Sequence, residues 1–114
     1  MAENSDAEFT PEQLFEQMPK YFQADKAGTT AATIQFDLSG ESGGQWWIKI
    51  ADGQANSGQG AVENPNLTLL ADAVDYVKIA TGKMDPTLAF MQGKVKIKGD
   101  TLLAMRLPNL FKRP

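Results

Sequence analysis

The sequence contains neither cysteine nor histidine. Without cysteine there is no disulfide framework and no thiolate nucleophile, and the redox compartment is left open. Without histidine the chain lacks the commonest general base, the commonest metal ligand and every histidine-dependent catalytic triad. We therefore expect a protein that is not an enzyme and that holds neither a metal nor a cofactor.

Long apolar runs and an excess of positive charge are missing as well. No apolar stretch approaches the roughly 18 residues of a membrane-spanning helix. The net charge of −3 argues against a dedicated nucleic-acid-binding protein, whose surface is basic. Met1–Asp6 is acidic and polar, unlike a signal peptide. These features predict a cytoplasmic protein, a monomer or weak dimer, with no nucleic-acid partner and at most transient membrane contact.

The length of 114 residues fits one domain, since domains of about 100–150 residues are the most common. Residues 1–9 hold three acidic side chains and few apolar ones, which predicts a flexible tail. Residues 10–114 then form the single domain.

A helix is predicted to begin directly after the tail. Thr10 is a good N-cap, Pro11 suits the first helical position, and Gln13 stands at the capping-box position. Apolar residues recur at helical spacing to about Asp25, but Pro19 cannot occupy an unbroken helix interior. We expect two short helices or a kink.

Four strands are predicted to follow as a meander. Ala32–Leu38 and Gln45–Ala51 alternate apolar and polar residues, which is typical of half-buried strands. Asp52-Gly53 favours a tight hairpin. Residues 54–60 form an edge strand or a loop, and we favour the strand. Leu67–Ala71 is the fourth strand. The polar positions predict a sheet face in contact with water, comprising Thr33, Gln35, Asp37, Lys49, Thr68, Lys94, Lys96 and Lys98.

Two helices are predicted in the segment that follows the fourth strand. Asp72 can cap the first of these helices, which ends at Gly82. Asp85 and Pro86 can open the second, and Gly93 can adopt the left-handed conformation just past its end.

The C-terminal part of the chain predicts one more strand and one more helix. Lys94–Lys98 alternates strictly, which indicates a half-buried strand. Asp100 can cap the last helix, and Pro108 is expected to stop it. Leu110 and Phe111 are expected to bury, either at the mouth of a cavity or as an ordinary packed tail.

Several of these segments together resemble the sterol carrier protein-2 family. They are Gly82–Pro86, Ala89–Lys94, Lys98–Asp100 and Leu103–Leu107, and the similarity extends from about Leu14 onward. The resemblance implies an α+β domain in which about five helices pack on one face of a five-stranded, mostly antiparallel sheet. It also implies an apolar tunnel between the two layers. A stand-alone, non-catalytic lipid-binding and transfer protein would hold a long-chain fatty acid, fatty acyl-CoA or sterol-like lipid there.

The resemblance further implies which residues line the tunnel. These are Trp46, Ile48, Val77, Phe90, Leu102, Met105 and Leu107, with Phe15 and Phe22 as looser choices and Gln92 as a polar handle or a helix-end hydrogen-bonding group.

Two other functions stay open at this point. In the first, the apolar residues of the helices simply fill a core, and the chain is a protein-interaction or dimerisation module that uses the exposed Trp47 face. Alternatively, the chain would be a weak acyl-CoA-directed enzyme, whose only available bases are carboxylates such as Asp37 or Asp85. The lysines at positions 94, 96 and 98 would attract a CoA phosphate or an anionic membrane, although a solvated sheet face is the more common role of such a stripe.

Overall fold

Five strands form one sheet in the computed structural model, which describes residues 10–112. The acidic tail predicted for residues 1–9 lies outside the described residues. The strands are β1 (Ala32–Ser39), β2 (Gly44–Ala51), β3 (Gln54–Gln59), β4 (Leu67–Asp72) and β5 (Val95–Gly99). The helices are α1 (Pro11–Gln17), α2 (Ala24–Ala27), α3 (Ala73–Ala80), α4 (Pro86–Met91) and α5 (Thr101–Leu110), and a 3₁₀ helix spans Met18–Tyr21. The predicted fold class is confirmed.

The strand order is β3-β2-β1-β4-β5. Three of the four strand pairs are antiparallel, and β1 pairs with β4 in parallel. The prediction that β3 is an edge strand is confirmed, whereas the prediction of a four-strand meander is wrong for β4. In a meander β4 would add to the free edge of β3, but the chain crosses the sheet after β3 and β4 adds to the free edge of β1.

The crossing segment is held on the outer face of the sheet by Gln35. Its side-chain Nε2 donates to the carbonyl oxygens of Trp46 and Gly60, both at 3.2 Å, and its Oε1 accepts from the Val62 N–H at 2.8 Å. Gln35 is consequently only 4% exposed. The prediction that Gln35 faces water is wrong, because the chain between β3 and β4 covers it.

The first helix begins as predicted. The Thr10 hydroxyl accepts from the Gln13 N–H at 3.2 Å, while Gln13 Oε1 accepts from the Thr10 N–H at 3.1 Å, so the capping box is complete. The predicted break at Pro19 is confirmed, since α1 gives way there to the 3₁₀ helix.

The last helix does not stop at Pro108 but continues to Leu110. Proline lacks an N–H and removes one helical hydrogen bond, but tertiary contacts compensate for that loss. Leu110 is buried, and its carbonyl oxygen accepts from the Gln23 N–H at 2.8 Å. The Gln23 side chain also donates to the Asn109 carbonyl oxygen at 3.0 Å. The end of α5 is thus tied to the N-terminal segment.

An aromatic cluster fills the interior over β1 and β2. The Phe15 ring stacks on Trp46 with ring centroids 5.3 Å apart, and on Tyr76 with centroids 5.8 Å apart. Phe36 meets Phe15 at 4.8 Å and Tyr76 at 5.3 Å in tilted arrangements. Together with Ile34, Ile48 and Ile50, all fully buried, these rings leave that half of the molecule closely packed.

Candidate functional site

A cavity lies between the helices and the half of the sheet formed by β4 and β5. Its volume is about 500 Å³ and its wall is mostly apolar. That volume falls within the range of about 300–1,000 Å³ that small-molecule sites occupy. The sheet and the helices are therefore incompletely packed on this side of the aromatic cluster.

The floor of the cavity is formed by the inward side chains of the two strands. Leu69 of β4 stands opposite Ile97 of β5 in the antiparallel register. Leu69, Ile97 and Val95 all line the cavity. Because successive side chains of a strand alternate between faces, Lys96 between them projects to the outer face.

Helix α3 forms one wall of the cavity through Tyr76, Ile79 and Ala80. A spacing of three and four residues places these side chains on one stripe of a helix. The helix begins after β4 because the Asp72 carboxylate accepts from the N–H groups of Val74 and Asp75 at 3.0 and 3.2 Å. These N-cap hydrogen bonds thus fix where α3 begins, and its lining side chains lie over the floor of the cavity.

Helices α4 and α5 close the cavity from the other side. Each begins at an aspartate N-cap: Asp85 accepts from the Leu88 N–H at 3.3 Å, and Asp100 accepts from the Leu103 N–H at 3.0 Å. Both caps are as predicted. The side chains that these two helices contribute are Pro86, Thr87, Phe90, Thr101, Ala104, Met105, Leu107 and Pro108.

The N- and C-terminal ends of the described chain meet at one end of the cavity. Phe111 lines the cavity and packs against the Phe22 ring with centroids 5.4 Å apart. The Lys112 N–H donates to the Tyr21 carbonyl oxygen at 2.8 Å. The remaining lining residues here are Leu14, Met18, Tyr21, Asn109 and Lys112. Of the two alternatives stated for Leu110 and Phe111, the cavity position holds for Phe111.

Exposed apolar side chains surround the opening of the cavity on α4 and α5. We call this set the apolar rim, and it comprises Leu88, Phe90, Met91, Leu102 and Met105. Phe90 and Met105 line the cavity and are also half or more exposed, so the opening lies between the two helices. Among residues 10–112, no helix combines the length and the apolar character required to cross a bilayer.

Three of the residues predicted to line a tunnel do line the cavity, namely Phe90, Met105 and Leu107. The structure places the other predicted residues away from the cavity wall. Gln92 is exposed at the end of α4, and Leu102 is 74% exposed on the solvent side of α5. Both residues therefore lie outside the cavity.

The other predicted lining residues are packed away from the cavity. Phe15, Trp46, Ile48 and Val77 are buried in the core and are absent from the cavity wall. The reason is that the aromatic cluster occupies the space over β2, where the tunnel was expected. Phe22 lies behind Phe111, which takes the position at the wall.

Sequence reasoning missed the floor and the α3 wall. The alternation that predicted inward Leu69, Val95 and Ile97 was a usable signal, and so was the α3 stripe that contains Tyr76 and Ala80. Both signals identify residues that face the helices, but neither distinguishes a filled interior from an open one.

The carboxylates considered as catalytic bases make structural hydrogen bonds. Asp37 accepts from Gln35 at 3.3 Å and from Gln45 at 3.1 Å, and these contacts lie on the outer face of the sheet. Asp85 caps α4. Neither residue lines the cavity.

Known proteins with similar sequences are much longer than this chain. Hydroxysteroid dehydrogenase-like protein 2 of Xenopus tropicalis is 36% identical over 101 residues, which are 88% of this chain and 24% of that protein. The chain therefore spans about a quarter of the length of this curated relative.

Solved structures share the fold at low sequence identity. The sec-alkylsulfatase Pisa1 from a Pseudomonas species matches with a TM-score of 0.81 and 20% identity, over 93% of this chain and 17% of that one. The solution NMR structure of palmitated SCP2L2 from Aedes aegypti matches with a TM-score of 0.72 and 21% identity, over 90% of this chain and 93% of that one.

A family model describes nearly the whole of the described chain. The model of the SCP-2 sterol transfer family matches residues 12–112, which include every element of the sheet and every side chain of the cavity floor. The chain belongs to the SCP-2 sterol transfer family.

Proposed function

We propose that this domain binds one long-chain lipid in the cavity and releases it again, without catalysing a reaction. The observation that carries the proposal is the apolar cavity of about 500 Å³ between the helices and β4–β5. Support also comes from the family assignment and from the similar fold of SCP2L2, which was solved in a palmitated form. The cargo classes are fatty acids, fatty acyl-CoA and sterol-like lipids.

An apolar cavity of this kind supplies moderate affinity. Burying about a dozen methylene groups at about 0.8 kcal/mol each contributes roughly 10 kcal/mol. Association and chain ordering cost at least about 4 kcal/mol. The difference of about 6 kcal/mol corresponds to dissociation constants on the order of tens of micromolar, which suit a carrier that must release its cargo.

The surface around the opening supports transient contact with membranes. Large exposed apolar patches mark interaction sites, and the apolar rim lies directly beside the cavity opening. Residues 83–114 carry seven of the eleven Lys and Arg residues and only two of the fourteen acidic residues. Cationic side chains favour anionic lipid surfaces. A carrier that touches the membrane at this rim keeps the lipid away from water during exchange.

The binding proposal is tested by filling the cavity. Ala104 lines the cavity on α5, so Ala104→Phe is expected to weaken the saturable binding of a fluorescent fatty acid by at least tenfold. Val74→Phe is the control, since Val74 is exposed on α3, lies outside the apolar rim and does not line the cavity. Binding is measured with delipidated protein, and thermal unfolding verifies that both variants fold. If wild-type protein takes up no long-chain lipid, the proposal is wrong.

The alternative of an acyl-CoA-directed enzyme has a separate test. Acyl-CoA turnover above background that disappears in Asp37→Asn or Asp85→Asn would support it.

The cytoplasmic location stays a prediction from the sequence.

A further inference from the structure

Tyr76 is a polar residue in the wall of an otherwise mostly apolar cavity. It lies on the inner stripe of α3 and is only 6% exposed. Of the other polar side chains of the wall, Tyr21 is partly exposed, and Thr87, Thr101, Asn109 and Lys112 are exposed to solvent. Tyr76 therefore carries the polar group that is most completely removed from water among the lining residues.

The hydroxyl of Tyr76 makes no hydrogen bond with any residue of the described chain. The contacts of this residue are those of its ring, which stacks on Phe15 and meets Phe36 in a tilted arrangement. These two aromatic contacts fix the ring, and hence they also fix the position of the hydroxyl. A buried tyrosine hydroxyl normally has a hydrogen-bond partner, and residues 10–112 supply none for this one.

Burial also fixes the protonation state of this hydroxyl. Desolvation raises the pKa of Tyr76 well above its ordinary value of 10.0. At neutral pH the group is therefore a neutral phenol that has a hydrogen to donate. A carboxylate brought to the same site would lose its hydration in the same way, and an ionised group is much more costly to bury than a neutral one.

We infer that Tyr76 Oη donates a hydrogen bond to an uncharged oxygen of the bound lipid, such as a hydroxyl, ketone or ester oxygen. This inference rests on the proposed lipid-binding function and names the class of cargo within it. The hydroxyl of Tyr76 then offsets the cost of burying the oxygen of such a chain. A lipid that lacks such an oxygen leaves the phenol unpaired, which is the physical basis of the discrimination.

The test compares two ligands in two proteins. Displacement of a fluorescent alkyl probe by 1-dodecanol and by n-dodecane is measured for the wild type and for Tyr76→Phe. We expect the ratio of dodecanol affinity to dodecane affinity to be about three- to tenfold higher in the wild type than in Tyr76→Phe, as for one neutral hydrogen bond. The ratio falls in Tyr76→Phe because dodecanol binds less tightly while dodecane affinity is retained.

The outcomes separate this inference from the proposal on which it rests. If both ligands displace the probe and Tyr76→Phe leaves the ratio unchanged, lipid binding stands and the role of Tyr76 is wrong. If neither ligand displaces the probe and no other long-chain lipid binds the wild type, both proposals are wrong. If Tyr76→Phe binds both dodecane and dodecanol more weakly, the inference is also wrong. The hydroxyl would then maintain the packing of the cavity wall and would not bond the ligand oxygen.

Discussion

At the scale of single residues, Gln35 and Tyr76 are both buried and polar, but only Gln35 has hydrogen-bond partners for its side chain among the described residues. Gln35 sits under the crossing segment and its amide is fully engaged by backbone and side-chain partners. Tyr76 stands in the cavity wall with no partner in the described chain. A buried polar group stabilises a fold only when its hydrogen bonds are made, so Gln35 serves the architecture while Tyr76 is left available for a ligand.

Replacement of Gln35 by leucine is expected to destabilise the domain by about 2–4 kcal/mol. The change leaves the Val62 N–H and the Trp46 and Gly60 carbonyl oxygens without their partner, and several lost hydrogen bonds add up to a cost of this size. Urea denaturation followed by tryptophan fluorescence measures the effect. Gln45→Leu is the matched control, because Gln45 is exposed on the same face of the sheet and makes one side-chain hydrogen bond. Equal losses in both variants would contradict this role of Gln35.

Burial of the Tyr76 hydroxyl predicts that the stability of the domain falls at alkaline pH. Its pKa is raised in the folded state by desolvation, so the unfolded chain releases this proton at lower pH than the folded domain does. Its contribution to stability is complete below pH 10 and declines above it, by up to about 1.4 kcal/mol per pH unit. Tyr76→Phe should remove this decline, as measured by urea denaturation between pH 8 and pH 11. An identical alkaline profile in the two proteins would refute the assignment to Tyr76.

At the scale of secondary-structure elements, α5 connects the cavity to the rest of the fold. It contributes a larger share of the cavity wall than α4 does, and both of its ends are fixed. Asp100 caps its start, and Gln23 satisfies carbonyl oxygens of Asn109 and Leu110 at its end. On the solvent side, Arg106 donates to the Thr30 hydroxyl at 2.8 Å. These contacts, together with the buried side chains of Leu103, Leu107 and Leu110, hold α5 above the sheet beside the cavity.

Removal of the α5 cap should therefore cost stability. Asp100→Ala is expected to destabilise the domain by about 1 kcal/mol, because the Leu103 N–H loses its acceptor. Asp100→Asn keeps a side-chain acceptor at the N-cap and should lose only a fraction of that amount. Both values come from thermal or urea unfolding. A smaller loss in the alanine variant than in the asparagine variant would show that the side-chain hydrogen bond is not what stabilises α5.

At the scale of the whole molecule, charge is distributed unevenly along the chain. Residues 83–114 carry seven basic and two acidic side chains, a net charge of +5, while residues 1–82 carry four basic and twelve acidic ones, a net charge of −8. The basic part includes α4, β5 and α5, which form part of the floor and the wall of the cavity. Lys112 lines the cavity, whereas the lysines of β5 alternate with the inward Val95 and Ile97 and lie on the outer face of the sheet.

This distribution predicts salt-sensitive binding to anionic vesicles. Co-sedimentation with phosphatidylcholine vesicles containing phosphatidylserine should exceed that with pure phosphatidylcholine, and should fall as salt screens the surface charges. The double variant Met91→Gln, Leu102→Gln removes two rim side chains and should bind several-fold more weakly. Val74→Gln is the control, since Val74 is exposed on α3, outside the rim. Equal binding by both variants would contradict a membrane-facing rim.

Most of the secondary structure could be predicted from local sequence. The capping box at Thr10, the break at Pro19, the hairpin at Asp52-Gly53 and the aspartate caps all depend on residues within a few positions of one another. Asp52 and Gly53 do adopt positive φ angles, of 54° and 74°. The low content of β-forming residues in β3 indicated an edge strand or a loop, and the return of the chain at Asp52-Gly53 favoured the edge strand that the structure has.

The sequence by itself determined the elements and the apolar face of each, because caps, turns and periodicity act over a few residues. Only the tertiary structure decided which part of the interior is filled. Periodicity shows that Trp46 and Ile97 both face inward. It does not show that the Phe15 ring stacks on Trp46, or that Ile97 borders a cavity that the side chains of residues 10–112 leave open. The parallel pairing of β4 and the continuation of α5 through Pro108 were decided in the same way. Each depends on contacts between residues that are distant in the chain.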